Sequence, residues 1–164
     1  MRAARLVLPT ALALIATTAP DLDAQGPSQP RTSTEYRADM IIGEGTAAQI
    51  GAGAQIPLGY YVRLGITGAA GVTTHDGVSV GGGRLDVIGR YLLDPFREVA
   101  WTPSFGGGVT IRYDDGDKNA HVYLTVILDI EGPRRGPFSP ALQVGLGGGT
   151  RIGVALRTTR GPWR

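Results

Sequence analysis

Between Ala120 and Gly132 the chain reads AHVYLTVILDIEG. Every second residue from His121 gives His121, Tyr123, Thr125, Ile127, Asp129 and Glu131; the residues between are Val122, Leu124, Val126, Leu128 and Ile130. Side chains alternate across a β-strand, so this stretch has one aliphatic face and one largely polar or charged face. The two faces meet different surroundings. Which of them points inward decides the fold.

The same alternation recurs along the chain from Glu35, with no convincing helical period. It predicts strands over about Glu35–Gly43, Thr46–Ile56, Tyr60–Val72, Val80–Leu93, Val99–Tyr113, Ala120–Gly132, Phe138–Gly148 and Thr150–Arg157. Between them stand GEG, PLG, THDG, DPFRE, DDGDKNA, EGPRRGP and GG, all turn chemistry suited to antiparallel neighbours. Eight strands, an even number, close into an up-and-down antiparallel barrel without exposed edges. The expected fold class is therefore all-β, a closed antiparallel barrel.

The chain has 164 residues, enough for one domain, and no Cys, which excludes disulfides and thiolate metal sites. Its 16 Lys and Arg against 14 Asp and Glu are nearly balanced, and the arginines are scattered. That excludes the clustered basic face of a nucleic-acid binder. Glycine is abundant, at 26 residues, yet 42% of the chain is hydrophobic, so low-complexity disorder is not the reading.

Arg2 and Arg5 precede a short apolar run, LVLPTALALIATTA (Leu6–Ala19), and LDA ends at Ala24 before Gln25. That is the layout of a cleaved signal peptide over 1–24; the run is too short for a spanning helix and contains Pro9. Residues 25–34 read as a polar leader, 35–160 as the barrel domain and 161–164 as a short tail.

Alternation leaves two barrels open. A soluble lipocalin-like barrel would turn its aliphatic face inward around an apolar ligand. A membrane barrel would turn that face to lipid and enclose the charged one. Aromatic placement favours the second. With the N-terminus in the periplasm, odd strands start and even strands end at one rim. Tyr36, Tyr60, Tyr91, Trp101 and Phe138 all fall on the aliphatic face near that rim, as an interfacial girdle would.

The opposite face carries Glu35, Asp39, Asp86, Asp129 and Glu131 with Arg37, Arg63, Arg84, Arg90, Arg112, Arg151 and Arg157. Lys is nearly absent, whereas a solvated exterior normally carries it. Enclosed charges must be paired, and the Arg fork suits carboxylates. The expected lumen network comprises Arg37, Asp39, Arg63, Arg84, Asp86, Arg90, Arg112, Asp129, Glu131 and Arg151.

Over Glu35–Arg157 the chain resembles the small eight-stranded outer-membrane β-barrel proteins of Gram-negative bacteria. The likeness rests on the leader, the eight alternating segments, and turns such as QIPLGYYVRLG and GRYLLDPF. It implies outer-membrane location, contact with outer-membrane lipid and insertion by barrel-insertion machinery. Two departures stand out. Such barrels commonly end on an aromatic residue of the last strand, whereas Trp163 here follows Gly161-Pro162 and precedes Arg164. Their outer loops are usually long, whereas GEG, THDG, DDGDKNA and GG are short.

The resemblance also includes lipid-modifying enzymes with a Ser-His-acid set. The chain has only His75 and His121, with no Ser within two residues of either, although Ser79 follows His75 across a turn. Asp114, Asp115 and Asp117 make an acidic turn without the twelfth-position Glu of a calcium hand. The three GGG runs precede no helix, so they are not phosphate cradles. No cofactor, metal or catalysis is expected, and a structural or interaction role follows.

Overall fold

The computed structural model describes residues 31–115 and 119–159. The expected signal peptide, most of the leader, the 161–164 tail with Trp163, and Asp117 lie outside the described residues. Eight strands form: β1 (Ser33–Ile42), β2 (Thr46–Pro57), β3 (Val62–His75), β4 (Val78–Leu92), β5 (Thr102–Asp114), β6 (His121–Glu131), β7 (Phe138–Leu146) and β8 (Thr150–Thr159). Each pairs antiparallel with its sequence neighbour, and β1 pairs with β8 from Ser33↔Thr159 to Ile42↔Thr150. The barrel is closed, and no strand is left with an open hydrogen-bonding edge.

Where strand limits depart from expectation, the turns explain it. β3 starts at Val62 rather than Tyr60, because the Leu58 N–H bonds the Val62 carbonyl at 2.9 Å and closes a turn over Gly59, Tyr60 and Tyr61. β5 starts at Thr102 rather than Val99. The Asp94 carboxylate accepts the Val99 N–H at 2.9 Å and holds residues 93–101 as a loop. That N–H keeps the Asp94 carboxyl below its usual range. β7 stops at Leu146, since Gly147, Gly148 and Gly149 adopt φ of 152°, 66° and 127°, a path other residues resist. Between β3 and β4, Asp76 (φ 48°) and Gly77 (φ 79°) make the two-residue hairpin turn.

The orientation of the faces is unambiguous. On β6, Leu124 is 85% exposed while Thr125, its neighbour, is 3% exposed. Val122, Val126, Leu128 and Ile130 are outside; Ile127, Asp129 and Glu131 are buried. The other strands repeat the pattern, with Ile50, Val72, Val87, Val109, Val144 and Val154 exposed and Glu35, Arg37, Asp86, Arg90 and Arg157 buried. The inward-aliphatic, lipocalin-like arrangement is therefore not the one adopted. A few apolar side chains do enter the interior, Ile41, Ile88, Leu92 and Ile127 among them.

Candidate functional site

The interior of an eight-stranded barrel is just wide enough for side chains to fill. Here the filling is charged and tied across the lumen. β1 and β4 are not neighbours, yet Arg84 pairs with Asp39, Arg37 Nη1 lies 3.7 Å from Asp86 Oδ2, and Arg90 Nη2 lies 3.6 Å from Glu35 Oε1. From β8, Arg151 Nη1 reaches Asp86 Oδ2 at 2.9 Å. From β3, Arg63 Nη1 lies 3.4 Å from Glu131 Oε2 on β6. Along β1, Arg37 Nε sits 2.7 Å from Asp39 Oδ2. Asp86 also accepts the Thr110 hydroxyl at 2.7 Å.

Arg157 joins the two halves of this system. Its Nε donates to Glu35 Oε2 at 2.8 Å, and its Nη1 to Asp129 Oδ1 at 2.8 Å and Glu131 Oε2 at 3.1 Å. Its Nη2 completes a two-pronged grip on Asp129. Amides fill remaining valences: Gln143 accepts from Arg37 and donates to Asp129 at 3.2 Å, and Gln55 donates to Glu35. Farther along the lumen, Arg112 Nε pairs with Asp114 Oδ2 at 2.9 Å, and Thr73 donates to Asp114 at 2.7 Å.

Every one of the ten residues expected in the lumen carries an ion pair there, nine of them in one connected set. Arg112 is set apart with Asp114. Sequence reasoning left Glu35 and Arg157 out of the network, although alternation had placed both on its face. The sequence places Asp114 in an acidic turn, whereas in the fold it is the last residue of β5 and still points inward. Arg97 carried no periodic signal at all, because it lies in the β4–β5 loop. With φ 58° it sends its guanidinium to Glu131 at the lumen mouth. That pair is partly solvated, so Arg97→Gln is expected to cost less than about 1 kcal/mol in urea unfolding of the refolded barrel.

The aromatic residues lie on the exterior. Tyr36, Tyr60, Tyr91, Trp101 and Phe138 are each 40–55% exposed. Alternation over the strand predicted from Tyr60 would put Tyr61 on the polar face with Arg63. The turn ends the alternation before it, and its ring stacks on Tyr91 at 5.8 Å, outside. Phe96 and Phe105 extend the cluster, at 5.9 Å from Tyr60 and 5.6 Å from Tyr91.

His75 Nδ1 is 2.6 Å from the Glu44 carbonyl, and Ser79 shares a hydrogen bond with Thr74 at 2.9 Å. His121 stacks against Tyr123. Among the described residues, no three His, Asp or Glu side chains are grouped to hold a metal ion.

No protein-family model and no curated protein matches this sequence. Among solved structures, the chain is similar to the N-terminal β-barrel domain of Pseudomonas aeruginosa OprF. The TM-score is 0.56 at 13% identity, over 79% of this chain and 98% of that one. It is similar to Neisserial surface protein A (NspA), with a TM-score of 0.55 at 10% identity, over 79% of this chain and 96% of that one. The solution structure of the de novo designed TMB2.3 aligns with a TM-score of 0.51 at 12% identity, over 82% and 97%. At such identities the likeness is one of fold: the chain is an eight-stranded antiparallel barrel with the architecture of small outer-membrane β-barrels.

Proposed function

We propose that this protein is exported through a signal peptide over residues 1–24 and resides in the outer membrane as a closed barrel. Its lumen is sealed by an Arg–carboxylate network, and its role is structural or interaction-based rather than catalytic or conductive. One observation carries the reading: a sheet with Leu124 at 85% exposure and Thr125 at 3% presents hydrocarbon outward around the whole cylinder. An apolar surface of that extent is unsuited to water and suited to lipid. Tyr36, Tyr60, Tyr91, Trp101 and Phe138 serve as the interfacial girdle at the periplasmic rim. Outer-membrane lipid is the surrounding medium, and barrel-insertion machinery delivers the chain to it.

Fractionation of the producing cell tests this directly. The protein is expected in the membrane pellet and to leave it only with detergent. Recovery in the soluble periplasmic fraction without detergent would end the reading.

The lumen contributes its own expected result. Ion pairs from β1 to β4, β3 to β6 and β8 to β4 cross the lumen at several levels. Purified protein in planar bilayers is therefore expected to show no stable ion conductance. Steady conductance would mean that the charges line a channel, and the function would be that of a pore.

A further inference from the structure

One concavity on the exterior differs from the rest of the lipid-facing surface. It lies at the aromatic rim, where the β6–β7 turn passes beneath the start of β5. It has a volume of about 370 Å³ and is lined by Trp101, Pro133, Arg135, Phe138, Pro140 and Leu156.

Its walls are fixed by packing. The Trp101 indole lies against Gly132 so closely that a methyl group on Gly132 would sit 2.8 Å from Cζ3 and 3.1 Å from Cη2, with Pro140 Cγ at 3.2 Å. Glycine is therefore what lets the ring lie there. Arg135 is placed by a small β-bridge with Phe138, the Arg135 N–H reaching the Phe138 carbonyl at 2.8 Å. Gly136, at φ 63°, makes the return. Among the described residues, no carboxylate pairs with the Arg135 guanidinium.

From this geometry we infer that the concavity is a binding site for an anionic glycerophospholipid. Arg135 meets the phosphodiester, and Trp101, Phe138, Pro140 and Leu156 hold the upper acyl chain. The charge is complementary: one unneutralised, weakly hydrated guanidinium stands beside an otherwise apolar cradle. The cradle also opens onto the aliphatic exterior through Leu156, so a chain lying along the barrel continues into the pocket.

A peptide would find little to bind. Pro133 and Pro140 have no N–H, and the Gly132 N–H is already bonded to the Pro140 carbonyl at 2.7 Å. A lipid chain asks for no such groups.

The inference rests on the outer-membrane reading above, and its test separates the two. The chain has two tryptophans, so the full-length Trp163→Phe protein reports Trp101 alone. It is reconstituted in phosphatidylcholine vesicles carrying an equal minor fraction of either phosphatidylglycerol or phosphatidylcholine brominated high in one acyl chain, and quenching of Trp101 fluorescence is measured. Brominated phosphatidylglycerol is expected to associate about fivefold more strongly than brominated phosphatidylcholine. Arg135→Gln is expected to bring that ratio near one, and Arg134→Gln in the same turn to leave it in place.

Equal quenching by both lipids overturns the site while leaving the membrane reading intact. A preference that survives Arg135→Gln also overturns it. No quenching by either lipid, with Trp101 open to acrylamide in water, overturns both.

Discussion

Arg157→Met is expected to destabilise the folded barrel by about 3–5 kcal/mol, the range for removing one partner of a buried ion pair. Arg157 is 3% exposed and grips three carboxylates, Glu35, Asp129 and Glu131. Methionine preserves most of the length and removes all the charge. Among the described residues, Asp129 would keep only the Gln143 amide, at 3.2 Å, and three acids would share a space too narrow to hydrate them freely.

Urea unfolding and refolding in phosphatidylcholine vesicles measures the loss. A cost below about 1 kcal/mol would mean that Arg157 is a solvated charge like Arg97, and the account of the lumen would be wrong. If the single variant does not fold, the double variant Arg157→Met/Asp129→Leu decides the matter. A buried pair replaced together by apolar residues is often neutral, so the double variant is expected to recover much of the loss. Failure to recover any would show that volume, rather than charge, was what the site required. By the same logic, Asp86→Ala with Asp129→Ala is expected to destabilise the barrel or admit water, because Arg151 loses its counter-charge and Arg84 and Arg157 each lose one of theirs.

The architecture was legible because β-strand alternation is a local signal that survives without any alignment. Val122, Leu124 and Val126 against Thr125, Ile127 and Asp129 already separate two faces. Alternation alone does not say which face is inward; the position of Tyr36, Trp101 and Phe138 near strand starts supplied that. Partner identity was another matter. Arg84 stands opposite Ala69 and Arg112 in the sheet, yet it pairs with Asp39 on the far side of the cylinder. Such a contact depends on stagger and closure, which one strand's sequence does not encode.

Turn residues were the least legible. Tyr61 and Arg97 lie where period two stops, so nothing in their spacing announces that one stacks outside on Tyr91 and the other bends back to Glu131. The bond between the Asp94 carboxylate and the Val99 N–H, which shapes the loop carrying Arg97, is a local side-chain to backbone contact of the kind Asp favours. That much was implicit in DPFRE, but its consequence for the lumen mouth was not.

The second large effect belongs to the exterior. Leu124→Arg is expected to cost about 2–4 kcal/mol in a bilayer, as for Arg near a membrane midplane. Leu124 is 85% exposed and faces Val109 across the ladder, with Val122 and Val126 on the same side of β6. If that surface met water, the substitution would be a surface change worth within about 0.5 kcal/mol, so the two surroundings give different answers for one residue.

Thr125→Arg, the neighbouring lumen position, is a poor control. Thr125 is 3% exposed and shares a 2.7 Å hydrogen bond with Thr110, so an arginine there would overpack the interior whatever lies outside. The better comparison runs along the same face. Arginine placed in turn at Val122, Leu124, Val126, Leu128 and Ile130 is expected to cost most near the middle of β6. The cost should fall toward about 0–1 kcal/mol at Ile130, beside the Trp101 and Phe138 rim. Unfolding titrations of the five variants in vesicles would trace the profile. A flat profile near zero would remove the bilayer from the exterior, whereas a peak displaced to Ile130 would place the hydrocarbon centre at the aromatic end and contradict the girdle.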